Sequence, residues 1–206
     1  MSYSVKELFY TLQGEGAQAG RAAVFLRFSG CNLWSGREAD RAEAGCRFCD
    51  TDFVGGTRFA DAESLAGAVA ALWPKGGGGF PYVVCTGGEP SLQLDAPLID
   101  ALHGRGFEIA VETNGTRPLP AGIDWVCVSP KAGTELAVTS GEELKLVWPQ
   151  DGLDPQTLAG LPFRHHFLQP LDGPGRAAAT AACVEYCLTH PRWRISLQTH
   201  KILDLP

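Results

Sequence analysis

AAVFLRFSGCNLWSGREADRAEAGCRFCDT, residues 22–51, carries the reading of this chain. An apolar stretch, Ala22 to Phe28, runs directly into three cysteines spaced C-x14-C-x2-C: Cys31, Cys46 and Cys49. The short C-x2-C spacing lets two sulfurs reach one metal centre. Three thiolates are one too few to fill a structural zinc site or a fully ligated cubane cluster, so one metal position stays open for chemistry. A zinc ribbon needs a second C-x2-C or a nearby His pair. Neither follows, because His165 and His166 are adjacent and face opposite sides of a strand, and His200 is far along the chain. Zinc and an iron-sulfur cluster both stay open at this point, with the incomplete ligand set favouring the cluster.

Working outward, the 206 residues are 45% apolar and 19% charged, with a formal net charge of -6. That length suits one ordinary domain, so residues 1–206 are read as one. No apolar run approaches the roughly 20 residues of a membrane helix. Residues 1–10 lack the basic flank and apolar run of a secretion signal, so the expected location is the cytoplasm. The acidic balance argues against a nucleic-acid surface, which needs clustered Lys and Arg, and favours a small-molecule substrate. Seven cysteines, an odd number without an export signal, read as thiols and metal ligands rather than a disulfide framework.

Short apolar runs predict strands over 22–28, 82–86, 107–112, 125–129, 143–148, 166–169 and 195–198, nearly continuous as in parallel strands covered on both faces. Helical periodicity is confined to 62–73, 95–103 and 176–188, with a fragment over 155–159. The connections after Glu112, Ser129 and Trp148 are short and rich in Pro, Gly and Thr, where a regular barrel would place a helix in each. The expected fold is α/β, a truncated barrel of about six parallel strands with about three full helices. Residues 76–79, four glycines, follow a helix and precede a strand, the reverse of a phosphate loop, and read as a turn. Cys85, Cys127, Cys183 and Cys187 read as packing residues, the last two sharing a helix face.

After the next strand come Thr86, Gly87, Gly88, Glu89 and Pro90. A strand, a three-cysteine loop with an aromatic, Phe48, before its last cysteine, and this Gly-Gly-Glu-Pro turn resemble the radical S-adenosylmethionine superfamily. The usual loop there is C-x3-C-x2-C, and here residues 32–45 expand it with a charged stretch from Arg37 to Glu43. Residues 9–16 (Phe-Tyr-Thr-Leu-Gln-Gly-Glu-Gly), Arg27, the expanded loop, Asp50, Thr51, residues 129–131 (Ser-Pro-Lys) and 169–172 (Gln-Pro-Leu-Asp) resemble closely the 7-carboxy-7-deazaguanine synthases. The similarity runs through essentially the whole chain.

The resemblance implies a partial radical-S-adenosylmethionine barrel and a [4Fe-4S] cluster on Cys31, Cys46 and Cys49. The free iron would take the amino and carboxylate groups of S-adenosylmethionine, whose 5'-deoxyadenosyl radical would start ring contraction of 6-carboxy-5,6,7,8-tetrahydropterin with loss of ammonia. It assigns Phe48, Cys49, Asp50, Gly88, Ser129, Pro130, Lys131, Gln169, Pro170, Leu171 and Asp172 to the cofactor. Leu12, Gln13, Gly14, Arg27, Thr86 and the carboxylate of Pro206 fall to the pterin. Thr51 is implied as a Mg2+ ligand, and Arg27 and Glu15 as catalytic groups. A homodimer and a flavodoxin-type electron donor are implied as partners. Gly87 and Gly88 leave backbone N-H groups open to an anionic methionine tail. The Arg27 fork suits a carboxylate in a bidentate pair. Glu112 and Asn114 are further candidates, although Asn114-Gly115 is equally a turn signal. Rival readings are a glycyl-radical activating enzyme or another member of the superfamily, and a zinc-stabilised binding module.

Overall fold

Alternate residues of the strand Ala22–Phe28 divide between two faces, Val24, Leu26 and Phe28 into an outer core and Ala23, Phe25 and Arg27 inward. The computed structural model describes residues 2–76 and 78–206. Gly77, in the four-glycine tract, lies outside the described residues. Nine strands form one sheet: β1 (Tyr3–Leu12), β2 (Ala22–Phe28), β3 (Thr57–Phe59), β4 (Tyr82–Gly87), β5 (Glu108–Thr113), β6 (Trp125–Val128), β7 (Gly141–Trp148), β8 (Phe163–Pro170) and β9 (Trp193–Ile195). Their order is β3-β1-β2-β4-β5-β6-β7-β8-β9. From β2 to β9 every neighbour is parallel, and only β1 and β3 run antiparallel.

Seven parallel strands therefore stand where about six were expected, the seventh being the three-residue β9, two residues earlier than its apolar signal. Three helices are substantial: α1 (Ala62–Leu72), α2 (Ala96–His103) and α4 (Arg176–Thr189). The other two, α3 (Pro155–Leu158) and α5 (Thr199–Leu203), are single turns. Asp61 and Asp95 start α1 and α2 by accepting the N-H groups of Ser64 and Leu98, satisfying donors that the helix itself leaves free. As the turn-rich connections implied, no helix separates β5 from β6 or β6 from β7. The gap after β7 holds only α3.

Leu65 and Val69 of α1 and Leu98 and Leu102 of α2 pack on Val24, Leu26, Val83, Cys85, Ile109 and Val111 from the sheet's outer face. Truncating such a buried leucine to alanine costs about 2–5 kcal/mol, transfer plus cavity. Cys183 of α4 is buried against Leu144, Leu146, Leu168 and Trp193, with Cys187 packed at the edge of the same cluster. The inner face is different. Its apolar part is small, Ala23, Tyr82, Val84 and Ala110, and the space beyond is left to polar side chains.

The β1 strand carried no legible signal. A bulge between Val5 and Glu7 shifts its register, so core contacts fall at Tyr3, Val5 and Leu8 instead of every second residue. Leu12 pairs with Ala22, the first residue of β2, so residues 13–18 lie at the N-terminal end of the parallel strands. From there they cross the inner face: Gly16 N-H donates to Ser196 Oγ (2.9 Å) and Ala17 N-H to Glu143 Oε2 (3.0 Å). Contacts between strands so far apart in the sheet order require the sheet to curl into a partial barrel, with residues 13–18 as its floor.

Candidate active site

The concave face encloses a cavity of about 700 Å³ between this floor and the loops that follow the strands. Cys31 comes from the turn after β2, Gly87 and Gly88 from β4, Asn114 from β5, Ser129 and Lys131 from β6, and Pro170, Leu171 and Asp172 from β8. Loops at the C-terminal ends of parallel strands are where barrel sites are built, because strand direction brings successive loops to one rim.

The three cysteines line one wall, Cys46 buried and the other two half-buried. Leu33 N-H donates to Cys31 Sγ (3.4 Å). Burial pushes the Cys31 thiol up. A hydrogen bond with Cys49 raises Cys46, and the same bond lowers Cys49 to about 6. Among the described residues no three acidic, His or Cys side chains converge on a single-ion site. A cubane binds each thiolate to a different iron, and three thiols lining one wall of a cavity this size offer it both donors and room.

The expanded loop forms a 3-10 stretch, Glu38–Glu43, and is fastened over the C-x2-C turn. Arg41 donates to the carbonyls of Arg47 and Cys49, both at 3.0 Å, while its guanidinium lies over Trp34 at 4.1 Å. Trp34 packs edge-on to Phe53. Gly88 abuts the same loop so closely that a Cβ there would lie 2.0 Å from the Gly30 carbonyl oxygen. Glu89 is fully buried and accepts from Thr113 Oγ1 (2.6 Å), Asn114 N (2.9 Å) and Ser91 N (2.9 Å), joining the β4 turn to the β5 turn. Asn114 in turn donates to Asn32 of the cysteine loop (3.0 Å).

Phe48, Asp50 and Thr51 line the cavity beside Cys49, and Thr86, Gly88, Ser129 and Lys131 lie across from them. Lys131 donates to Ser129 O (2.7 Å) and Oγ (2.8 Å), and burial lowers its ammonium. Pro130 alone of the expected site residues is absent from the lining. It is buried behind the wall, its carbonyl facing Gln150. Asp172 and Asp50 both accept from Lys201 Nζ (2.6 and 2.7 Å), tying α5 to the loops after β8 and around Cys49. Leu12, Gly14 and Pro206 reach the lining from the two ends of the chain, and Gly14 is pressed against His200. Arg27 also lines the cavity, with Nε donating to Glu7 Oε1 (2.6 Å), one of its five donors.

Residues 41–145 match the Radical SAM superfamily. The chain is 64% identical to the 7-carboxy-7-deazaguanine synthase of Caulobacter vibrioides and 59% identical to that of Burkholderia multivorans, each over the full length of both proteins. This chain belongs to the 7-carboxy-7-deazaguanine synthase family. A crystal structure of QueE from Escherichia coli superimposes with a TM-score of 0.73 at 29% identity, covering 96% of this chain and 94% of that one.

Lys145 and Gln198, which no motif singled out, join Gln13, Glu15, Glu112 and Gln169 in one buried polar group beside the cavity. Lys145, 3% exposed, places Nζ 2.5 Å from Glu15 Oε2 and 3.2 Å from Glu112 Oε2. Glu15 Oε1 accepts from Gln169 Nε2 and Gln198 Nε2, both at 3.0 Å. Gln13 donates to Glu112 Oε1 (2.9 Å) and accepts Glu15 N-H (3.1 Å). Burial alone would raise Glu15, but the Lys145 charge and these hydrogen bonds hold it below the usual carboxylate range. Glu143, farther from Lys145, is raised by burial. The legible trace was a lysine set between two leucines, in a strand that also carries Glu142 and Glu143.

Proposed function

We propose that this synthase-family member converts 6-carboxy-5,6,7,8-tetrahydropterin to 7-carboxy-7-deazaguanine with loss of ammonia, in 7-deazapurine and queuosine biosynthesis. One observation carries this reading: the cysteine wall, the Gly87-Gly88 turn and Lys131 share a single cavity with Gln13, Glu15, Arg27, Thr86 and Pro206, in a chain related to the family over its whole length. A [4Fe-4S] cluster on Cys31, Cys46 and Cys49, with S-adenosylmethionine, supplies when bound the one-electron chemistry that starts hydrogen abstraction.

The chain's own side chains account for the rest of the recognition. Arg27 clamps the substrate carboxylate, exchanging its Glu7 partner for the ligand, because a planar fork matches a carboxylate better than a point charge does. Glu15 and Glu112 accept from the N-H groups of the pterin edge, and the terminal carboxylate of Pro206 adds a third acceptor. Thr51 contributes to a Mg2+ site that substrate oxygens and water complete, since one hydroxyl fills little of an octahedron. The walls shield the reacting carbon from water. One domain, a homodimeric assembly, a flavodoxin-type reductant and a cytoplasmic location complete the reading. It is supported by the family relationship.

The test is anaerobic turnover of the carboxytetrahydropterin with S-adenosylmethionine, followed by detection of the deazaguanine product. Reconstituted protein is expected to be brown and active, and Cys49→Ala inactive. A colourless, inactive wild-type preparation after reconstitution with iron and sulfide would refute the assignment.

A further inference from the structure

Lys145 does not line the cavity, yet both of its carboxylate partners do. Those partners lie 130 and 33 residues away along the chain, on the floor loop and on β5. A buried ammonium is costly, and apolar residues of similar volume often replace such ion pairs without loss of stability. Its presence therefore calls for a reason beyond packing.

The hydrogen-bond count supplies one. A carboxylate offers about four acceptor positions. Glu112 uses one for Gln13 and one for Lys145, while Glu15 uses three, for Lys145, Gln169 and Gln198. Acceptor capacity is thus left on both, and both line the cavity. Two carboxylates sharing one site do not both stay charged without a cation: one takes a proton and turns from acceptor to donor. The other ionisable groups around them are Tyr82 on β4, Glu143 on the same strand as Lys145, Cys127 on β6, Lys131 after β6 and His200 on α5. Of these, Glu143 adds negative charge, and Lys131 is itself lowered by burial.

We propose that Lys145 is a positioning residue that holds Glu15 and Glu112 side by side as charged acceptors, and so sets the cavity's preference for a ring edge bearing N-H donors over one bearing a carbonyl. The proposal rests on the pterin reading above. A 2-aminopyrimidinone edge presents an amino group and a ring N-H to this pair. A dione edge places an oxygen where the amino group was, against a carboxylate.

Equilibrium dialysis of the cluster-loaded protein with S-adenosylmethionine tests this with two stable probes, 6-carboxypterin and 6-carboxylumazine, which carries a carbonyl in place of the 2-amino group. Wild type is expected to favour the pterin by roughly 10- to 100-fold, the worth of one hydrogen bond to a charged group. Lys145→Met should bring that ratio close to one near neutral pH and recover part of it as pH rises and both carboxylates ionise. Glu15→Gln/Lys145→Met removes opposite charges together, so it should fold even if the single variant does not. Its pterin affinity should be flat from about pH 6 to about pH 8, because no second carboxylate remains to share a proton with Glu112.

A residue that only packs would weaken both probes equally, with no dependence on pH. A wild-type ratio in Lys145→Met, or a pH-dependent pterin affinity in the double variant, overturns the role of Lys145 while leaving the pterin reading intact. Failure of wild type to bind 6-carboxypterin overturns that reading, and the proposal with it.

Discussion

Gly88→Ala should separate the Gly-Gly-Glu-Pro turn from the cysteine loop, and its cost can be worked from the contacts. The added Cβ would sit 2.0 Å from the Gly30 carbonyl oxygen, 2.5 Å from its carbon and 3.1 Å from Cys31 Cβ, whereas ordinary contact begins at 3.4 Å. The obstacle is backbone, so no side-chain rotation relieves it. Opening the gap breaks or stretches Glu89 N-H to Gly30 O (2.9 Å) and Gly88 N-H to Phe28 O (3.3 Å). Each such bond is worth about 1 kcal/mol, and overpacking adds about 1–3 kcal/mol, so a loss of roughly 2–4 kcal/mol is expected. For a chain of this length that lowers the thermal midpoint by roughly 5–15 °C. Because Cys31 follows Gly30, the same displacement moves a proposed cluster ligand, and iron and sulfide content after reconstitution should fall together with stability. A variant that melted like wild type and loaded a full cluster would refute the inferred interlock of the two turns.

Three further outcomes follow from the site. Arg27→Lys should raise KM for the carboxytetrahydropterin by roughly 10- to 100-fold with little change in kcat, since the clamp binds substrate and transition state alike; an unchanged KM in steady-state assays would remove the clamp. A tag appended after Pro206 should raise KM by moving the terminal carboxylate out of the cavity lining, while the same tag at the N-terminus serves as the control. Glu15 sits below its ordinary range when folded, so the unfolded chain takes up its proton at higher pH. The stability it contributes is present above about pH 4.3 and is lost as pH falls through the lower folded value. Urea midpoints should therefore drop more steeply from about pH 5 to about pH 3 in wild type than in Glu15→Gln, with Glu143, raised by burial, sloping the opposite way in both proteins.

Local chemistry was legible along the chain. The β2 strand and the C-x2-C turn act over a few residues, and the turn-rich gaps after β5 and β6 announced a barrel short of helices. The bulged β1 was not legible, because one extra residue breaks the alternation that identifies a strand. Nor was Pro130's place behind the wall, since neighbours in a motif need not face the same way. The sequence by itself determined the three-cysteine spacing, the parallel sheet and the family resemblance, all of which depend on spacing or on runs of similar residues. Only the tertiary structure decided that Lys145, Glu15 and Glu112 form one charged group beside the cavity. No local pattern records it, because Coulomb attraction acts through space, between side chains that the curl of the sheet brings within 3.2 Å.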